Sequence, residues 1–240
     1  RSDDVADLPR GAARVVTAPL AALARWRNGK PMHPRGAVFG AVLERHGSDR
    51  PWGVPFLDGT GRDDVVVRLS RGAGLPAPLP DLLGLAVRLD GGAGRPVDLL
   101  LSTTGRGALT RVVPVLRRDA ASVYCSIMAY RSAGGPIRLA ALPDGDGVPS
   151  DPAPLAAAVR RQPLVFVLAA ARGLGAWVPF GRLVVGEAVH PLDPELRFDA
   201  VRHPPPGLVA DGPLARFRAP AYAAAQEARD GSGAATGKRR

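Results

Sequence analysis

The carboxy-terminal part of the chain carries a tyrosine between two arginines at helical spacing. Arg218 precedes Tyr222 by four residues, and Arg229 follows it by seven. Residues four apart share one face of a helix, so the Arg218 guanidinium can lie beside the Tyr222 phenol. A neighbouring cation stabilises the phenolate and lowers the pKa of the phenol. Because phenolate is the form of tyrosine that ligates ferric iron, Tyr222 is a candidate iron ligand.

Other common centres of chemistry have no support in the sequence. The histidines His33, His46, His190 and His203 form no HxxxH or HxH pair, and Cys125 is the only cysteine. This excludes an internal disulfide and a cysteine-rich zinc or iron–sulfur site, and it disfavours a metal-dependent hydrolase. No GxSxG, P-loop or GxGxxG pattern is present, which disfavours serine hydrolases and nucleotide-binding enzymes.

The tyrosine lies in a longer series of motifs that resembles the catalases. Residues 197–208 (RFDAVRHPPPGL) and 211–215 (DGPLA) precede the pattern RxxxY-x6-R that begins at Arg218. In catalases the same order runs from an FDP-like start through a PxGI turn and a DPLL-like helix start to RxxxY and a further arginine. Both the order and the spacing within RxxxY-x6-R are preserved.

The first half of the chain supplies an independent resemblance to the same family. Residues 30–36 (KPMHPRG) are similar to the catalase RxVHAKG loop, and residues 65–70 (VVVRLS) are similar to VAVRFS. Residues 81–88 (DLLGLAVR) resemble RDPRGFAVKF, and residues 98–104 (DLLLSTT) fall where the family has DLVGNNTP. Four short motifs in the family's order extend the resemblance from about residue 30 to residue 230.

The resemblance implies a haem b cofactor held by five residues. Tyr222 would bind the iron from the proximal side, and Arg218 would set the charge of the phenolate. Arg68 and Arg229 would hold the haem propionates by charge-assisted hydrogen bonds. Lys30 stands where the family has a third propionate arginine, and a lysine keeps the charge without the bidentate fork.

On the distal side of the haem, the resemblance implies three catalytic residues. His33 would be the acid–base group, and Ser70 would orient its ring by a hydrogen bond. Ser102 occupies the place of the distal asparagine; its hydroxyl can still donate, with shorter reach. Met32 replaces the valine beside the histidine, and the chain is much shorter than a usual catalase. A shorter chain implies a more open route to the iron.

The implied function is a haem-dependent enzyme that reacts with hydrogen peroxide or organic hydroperoxides through a ferryl intermediate. Ser102 and the short chain favour a peroxidase with a small organic reductant, or rearrangement of a hydroperoxide, over peroxide dismutation. One alternative is a haem-binding barrel without catalysis. Another is a nucleic-acid-binding barrel, which the formal net charge of +10 suggests, although the arginines are scattered and cluster most densely at residues 238–240.

The remaining expectations concern location and assembly. The longest apolar run, residues 163–171, is about half of what a transmembrane helix needs. A single cysteine is typical of a reducing cytoplasm. The segments that join the catalase tetramer are missing from this sequence, so a homodimer or a monomer is expected.

An α+β fold in one domain must position these motifs. The resemblance implies an antiparallel β-barrel of the catalase core type with flanking helices and a C-terminal proximal helix; the residues alone allow a barrel or a sandwich. We predict a helical arm over residues 1–29, a haem domain over 30–230 and a basic tail over 231–240. Helices are predicted over 12–28, over 155–172 with a break at Pro163, and over 213–230. Strands are predicted over residues 37–43, 64–69, 83–89, 97–101, 109–116, 122–130, 137–142 and 183–189.

Overall fold

The computed structural model describes residues 33–92 and 94–210, which form an antiparallel β-barrel. Two α-helices occur in this part of the chain, α1 (Pro55–Asp58) and α2 (Pro152–Arg161), together with a 3-10 helix over Thr110–Val112. The strands are β1 (Arg35–His46), β2 (Thr60–Arg71), β3 (Leu83–Asp90), β4 (Pro96–Thr103), β5 (Tyr124–Cys125), β6 (Tyr130–Ser132), β7 (Gly135–Pro143), β8 (Leu164–Arg172), β9 (Val178–Ala188) and β10 (Val209–Ala210).

Eight of the strands close on themselves. They are hydrogen-bonded in the order β7-β5-β4-β3-β2-β1-β9-β8, and β8 pairs back onto β7. Strands β6 and β10 extend the sheet beside β7. The predicted antiparallel barrel is therefore confirmed, and the sandwich alternative is wrong. The predicted arm over 1–29, the tail over 231–240 and the C-terminal proximal helix lie outside the described residues.

Alternation along the strands separates a packed interior from a chemically varied outer face. On β2, Val65, Val67 and Leu69 point into the core, whereas Arg68 and Ser70 point outward. The same alternation runs along β1, β3 and β4, because successive side chains of a strand leave opposite faces. The polar residues singled out in the sequence on these strands therefore share the outer face of the barrel.

The predicted helix over 155–172 is wrong in its second half. Helix α2 ends at Arg161, and Leu164–Arg172 is the strand β8. Pro163 lacks the amide hydrogen that a continuing helix needs. Beyond it, Leu164, Phe166 and Leu168 are buried in alternation with half-buried residues, which is the period of a strand.

The predicted strand over 109–116 is wrong. Thr110–Val112 forms a 3-10 helix, and the Thr110 hydroxyl accepts a hydrogen bond of 3.0 Å from the Gly107 amide, which closes the turn. Leu109 is 73% exposed, so the apolar residues of this segment do not all pack into the core as those of a buried strand would. Pro114 also removes a donor that a strand in this position would use.

The predicted strand over 122–130 is much shorter in the structure. Only Tyr124–Cys125 and Tyr130–Ser132 pair as strands. Between them, the Ser126 hydroxyl donates to the Met128 carbonyl at 2.9 Å and accepts from the Leu139 amide at 3.1 Å. A serine side chain thus replaces the ladder at this bend.

Candidate functional site

A row of small residues crosses the outer face of the first four strands. The register places Gly36 of β1 opposite Ser70 of β2, Ser70 opposite Gly84 of β3, and Gly84 opposite Ser102 of β4. Two glycines and two serines have few side-chain atoms of their own that project from the sheet along this row. We call these four residues the small-residue row. Such small residues let side chains from neighbouring segments lie close against the barrel wall.

The His33 ring lies against the small-residue row. Its Nδ1 is 3.0 Å from the Ser70 Oγ, which is itself 3.4 Å from the Gly84 carbonyl oxygen. When the Ser70 hydroxyl donates to that carbonyl, Nδ1 carries the proton of the neutral ring and Nε2 is the basic nitrogen. A Cβ on Gly84 would come within 2.7 Å of His33 Cε1. The ring therefore needs glycine at this position.

The backbone of His33 is held in an unusual conformation. Its φ of 62° lies in the left-handed region, which costs a residue other than glycine about 1–3 kcal/mol. The His33 amide donates to the Gly72 carbonyl at 3.0 Å, and its carbonyl accepts from Arg68 Nη2 at 3.0 Å. These two hydrogen bonds fix the residue at the start of β1 and aim its ring at β2 and β3.

Ser102 lies on the same row but not beside the histidine. It is half-buried on β4, with Gly84 on one side and Cys125 on the other. Since adjacent strands lie about 4.8 Å apart, the backbones of Ser70 and Ser102 are separated by about 10 Å. The structure thus brings His33 and Ser70 into contact and places Ser102 at the far end of the row.

Arg68 is engaged by a carboxylate that the sequence analysis missed. Its Nε and Nη2 donate to the two oxygens of Asp193 at 2.7 and 2.9 Å, in a bidentate pair. Asp193 lies in the loop after β9, and 125 residues separate the partners, so no local pattern could reveal the pair. For Arg68 to hold a haem propionate, Asp193 has to share or release the guanidinium.

The four other cofactor-binding candidates lie outside the described residues. These are Lys30, Arg218, Tyr222 and Arg229, and Met32 lies there too. Within the described ranges, no group of three or more His, Cys, Asp or Glu residues could hold a metal ion. The described part of the candidate site therefore consists of the His33–Ser70 pair and the small-residue row, which the motif resemblance assigns to the distal side; we call it the distal half.

A second polar cluster on the outer face has a different character. Asp98 on β4 is fully buried and accepts two hydrogen bonds of 2.7 Å from Arg88, one of 2.8 Å from the Asp199 amide, and one of 3.2 Å from His203 Nδ1. Burial acts to raise the pKa of Asp98, but these donors together hold the pKa below its usual value. The cluster ties the loop after β9 to the barrel wall.

Sequence comparisons leave the family open, and structural comparisons identify the fold. No protein-family model and no curated protein sequence matches the chain. Among solved structures, a bacterial catalase matches with a TM-score of 0.58 and 11% identity, covering 94% of this chain and 63% of that one. The fold is catalase-like. Catalase A from Saccharomyces cerevisiae matches the catalase-like barrel with a TM-score of 0.57 and 12% identity, over 94% and 66% of the two chains.

A fungal catalase gives a similar result, with a TM-score of 0.50, 13% identity, and coverage of 91% of this chain and 63% of that one. The chain thus spans slightly less than two thirds of the length of the catalases it matches. None of the helices in the described residues is long and apolar enough to cross a membrane.

The distal half fits the haem that the motifs imply. A planar macrocycle requires a flat distal face, and the small-residue row lets the His33 ring and the Arg68 guanidinium lie close against the barrel wall, over Gly84 and Gly36. A Cβ on Gly36 would meet the Arg68 guanidinium at 2.8 Å, so this glycine also keeps the charged group close to the wall. Sequence reasoning quoted Gly36 and Gly84 within motifs without assigning them a role; their positions opposite Ser70 are what give them one.

Proposed function

We propose that the chain is a haem-dependent oxidoreductase that reacts with hydrogen peroxide or organic hydroperoxides, as peroxidases and catalases do. The observation that carries the proposal is the His33–Ser70 contact on the small-residue row of a catalase-like barrel. It places an oriented imidazole against the barrel wall, on the fold that the motifs independently indicate. Haem b, when bound, supplies the iron at which the peroxide is activated.

The residues proposed to hold the haem come from two parts of the chain. Tyr222 as phenolate is the proposed iron ligand, and Arg218 stabilises its charge. Arg229, Lys30 and Arg68 are the proposed partners of the propionates. The Arg68 guanidinium already binds a carboxylate, that of Asp193, so this role requires Asp193 to share or release it.

The proposed catalytic role of His33 is proton transfer at Nε2. The imidazole takes the proton of a hydroperoxide that approaches the row and returns it to the leaving oxygen. Ser70 keeps the ring in one orientation through Nδ1, so that the basic nitrogen points away from the sheet. Ser102 contributes a hydroxyl that can hydrogen-bond the substrate at the far end of the row.

We propose peroxidase chemistry, with a small organic reductant, over rapid dismutation. The support is Ser102, whose hydroxyl reaches less far than the amide that catalases have at this place. A cytoplasmic location and a homodimer remain predictions. A haem-binding barrel without catalysis is the second candidate, because the pairing of Arg68 with Asp193 and the residue change at Ser102 both depart from the catalase arrangement.

Titration of the full chain with haemin tests the proposal directly. We expect one haemin per chain, a Soret band with high-spin ferric features, and oxidation of a phenolic reductant by hydroperoxide. Tyr222→Phe should weaken binding or shift the spectrum, whereas the matched variant Tyr130→Phe, on β6, should do neither.

Three results would count against it. A chain that takes up no haemin contradicts the proposal, and salt-sensitive DNA binding by that colourless form would favour the nucleic-acid alternative. Haemin uptake without turnover of any hydroperoxide would favour the non-catalytic barrel. Dismutation of hydrogen peroxide far faster than peroxidase turnover would overturn the choice of reaction.

A further inference from the structure

Two arginines outside the row carry buried nitrogen atoms without partners. Arg111, in the 3-10 helix, is 2% exposed, and neither its Nε nor its Nη1 has a hydrogen-bond partner. The Nε of Arg138, on the outer face of β7, is buried and unpartnered as well. Neither guanidinium forms an ion pair with an acidic residue in the described part of the chain.

Buried guanidinium nitrogens without hydrogen-bond partners destabilise a protein unless a further group binds to them. An uncompensated buried charge destabilises a protein by several kcal/mol, and buried polar atoms in proteins are nearly always hydrogen-bonded. Arg71 shows how this chain satisfies a buried arginine: at 1% exposure it donates to the carbonyls of Leu75 and Leu79 and to Ser150. Arg111 has one comparable bond, from Nη2 to the Gly175 carbonyl at 2.8 Å.

The strand register and a ring contact bring the two arginines to the same part of the outer face: Arg138 is two residues before Ala140, the strand partner of Cys125, and Arg111 stacks on Trp177, which packs against a cluster that includes Ala140. Burial raises the pKa of the Cys125 thiol to about 12, and the charges of Arg138 and Arg111 act in the opposite direction. Burial lowers the pKa of Arg111, and the like charge of Arg138 lowers it further. Two cations and no described anion therefore share one partly desolvated region, which favours the binding of a negative group.

This region adjoins the proposed distal site. Cys125 is the strand partner of Ser102 on one side and of Ala140 on the other, so the backbone of Arg138, two residues before Ala140, lies about two strand spacings beyond the end of the small-residue row. The Arg111 guanidinium stacks on the Trp177 ring, 4.3 Å from its centroid. Trp177 in turn packs against an apolar cluster on the outer face formed by Ala140, Leu142 and Ala169. These three residues are buried, but Trp177 is half-buried, so charged and partly exposed apolar side chains occur side by side.

We propose that Arg111 and Arg138 form an oxyanion-binding site that holds the carboxylate of an organic substrate beside Ser102. A guanidinium binds carboxylate or phosphate oxygens through parallel N–H donors, and the orphaned nitrogens here supply them. The half-buried side chains of Val123, Val167 and Trp177 that pack against the apolar cluster favour an ion that carries a hydrocarbon chain over a free inorganic anion. The assignment of the ligand as a substrate rests on the proposed function; the binding site itself does not.

Calorimetric titration of the full chain with octanoate tests the site. We expect saturable binding of octanoate, competition by inorganic phosphate only at much higher concentration, and no binding of 1-octanol. Arg138→Gln should weaken octanoate binding about tenfold or more, the effect of losing one charged hydrogen-bonding partner. Arg131→Gln, an exposed arginine on neighbouring β6, is the matched control and should leave binding unchanged.

The choice of variant and a parallel haemin titration distinguish loss of binding from loss of stability, and failure of this site from failure of the proposed function. Arg111→Gln removes a buried group and can lower stability, so Arg138→Gln, at a half-buried position, carries the test. Octanoate binding that is absent, or that Arg138→Gln leaves unchanged, overturns the site. Phosphate binding as tight as octanoate binding overturns the organic ligand. Haemin titration of the same sample keeps the two proposals apart, since octanoate binding by a chain that takes up no haemin would contradict the proposed function alone.

Discussion

Two histidines on the outer face of the barrel are held in opposite ways. His33 contacts a serine hydroxyl above a glycine, and the row beside it is made of small residues. His203 contacts the carboxylate of Asp98, which is already saturated by Arg88 and a backbone amide. The comparison teaches that a hydrogen bond to the ring does not by itself distinguish a candidate acid–base histidine from a structural one; the partner does, a neutral hydroxyl for His33 and a buried carboxylate for His203.

Substitution of the two histidines should have the largest effects, on activity for His33 and on stability for His203. We expect His33→Gln to lower peroxidase kcat by about 10²–10⁴-fold, the usual contribution of general acid–base catalysis, with the barrel still folded. His203→Gln should lower stability and leave kcat within a few-fold of the wild type. Steady-state kinetics and urea unfolding of both variants, loaded with haemin, measure this. Equal loss of activity in the two variants would contradict the comparison.

Removal of the Asp98 charge should lower the stability of the protein. Asp98→Asn removes the charge that pairs with the partly buried Arg88, and we expect the free energy of unfolding to fall by about 2–3 kcal/mol. Asp63→Asn is a suitable control, because Asp63 pairs with Arg45 at 3.1 Å but its side chain is 28% exposed, against 0% for Asp98, and the pair should contribute less than about 1 kcal/mol. Urea unfolding at neutral pH gives both values. A larger loss in the Asp63 variant would show that the cluster is not the anchor of the loop.

Glycine at position 84 gives a finer test of the space beneath His33. We expect Gly84→Ala to push the ring off Ser70, at a cost of about 1–3 kcal/mol for overpacking, and to reduce peroxidase activity. Gly40→Ala lies on the same outer face, where an added Cβ meets nothing closer than 4.0 Å. Activity and thermal unfolding of the pair measure the effect. Normal activity in the Gly84 variant would mean that ring position is not essential.

Acid should weaken the Asp98 cluster gradually. Because the pKa of Asp98 is lowered in the folded protein, its contribution to stability is fully present above the unfolded-state pKa of about 3.9 and is lost as the pH falls through the folded value. The wild type should therefore lose more stability than Asp98→Asn as the pH is lowered below about 4. Urea unfolding as a function of pH checks this, and parallel curves for the two proteins would refute it.

The sequence predicted the barrel where strand periodicity and burial agree. In β2 and β3, alternating apolar residues marked both the strand and the face that bears Arg68, Ser70 and Gly84. It failed at Leu164–Arg172, where a continuously apolar run reads equally well as a buried helix. It failed again at Thr110–Val112, where a side-chain hydrogen bond closes a turn in an apolar segment.

The site was predictable only in part for a similar reason. The pairing of His33 with Ser70 followed from the motif resemblance, and strand register then supplied Gly84 as the surface beneath the ring. Asp193 could not be found, because its contact with Arg68 depends on how the loop after β9 folds back over the barrel. Arg111 and Arg138 have no shared motif; only the barrel brings them together.

The position of His33 between distant strands has a consequence for the timing of reactivity. Its ring is oriented by β2, seated on β3, and joined through its backbone to the segment between them. No local stretch of chain can form this pair before the β1–β2–β3 ladder is complete. A nascent or partly unfolded chain therefore lacks the oriented imidazole, so the proposed reaction with peroxides would be confined to molecules that have finished folding.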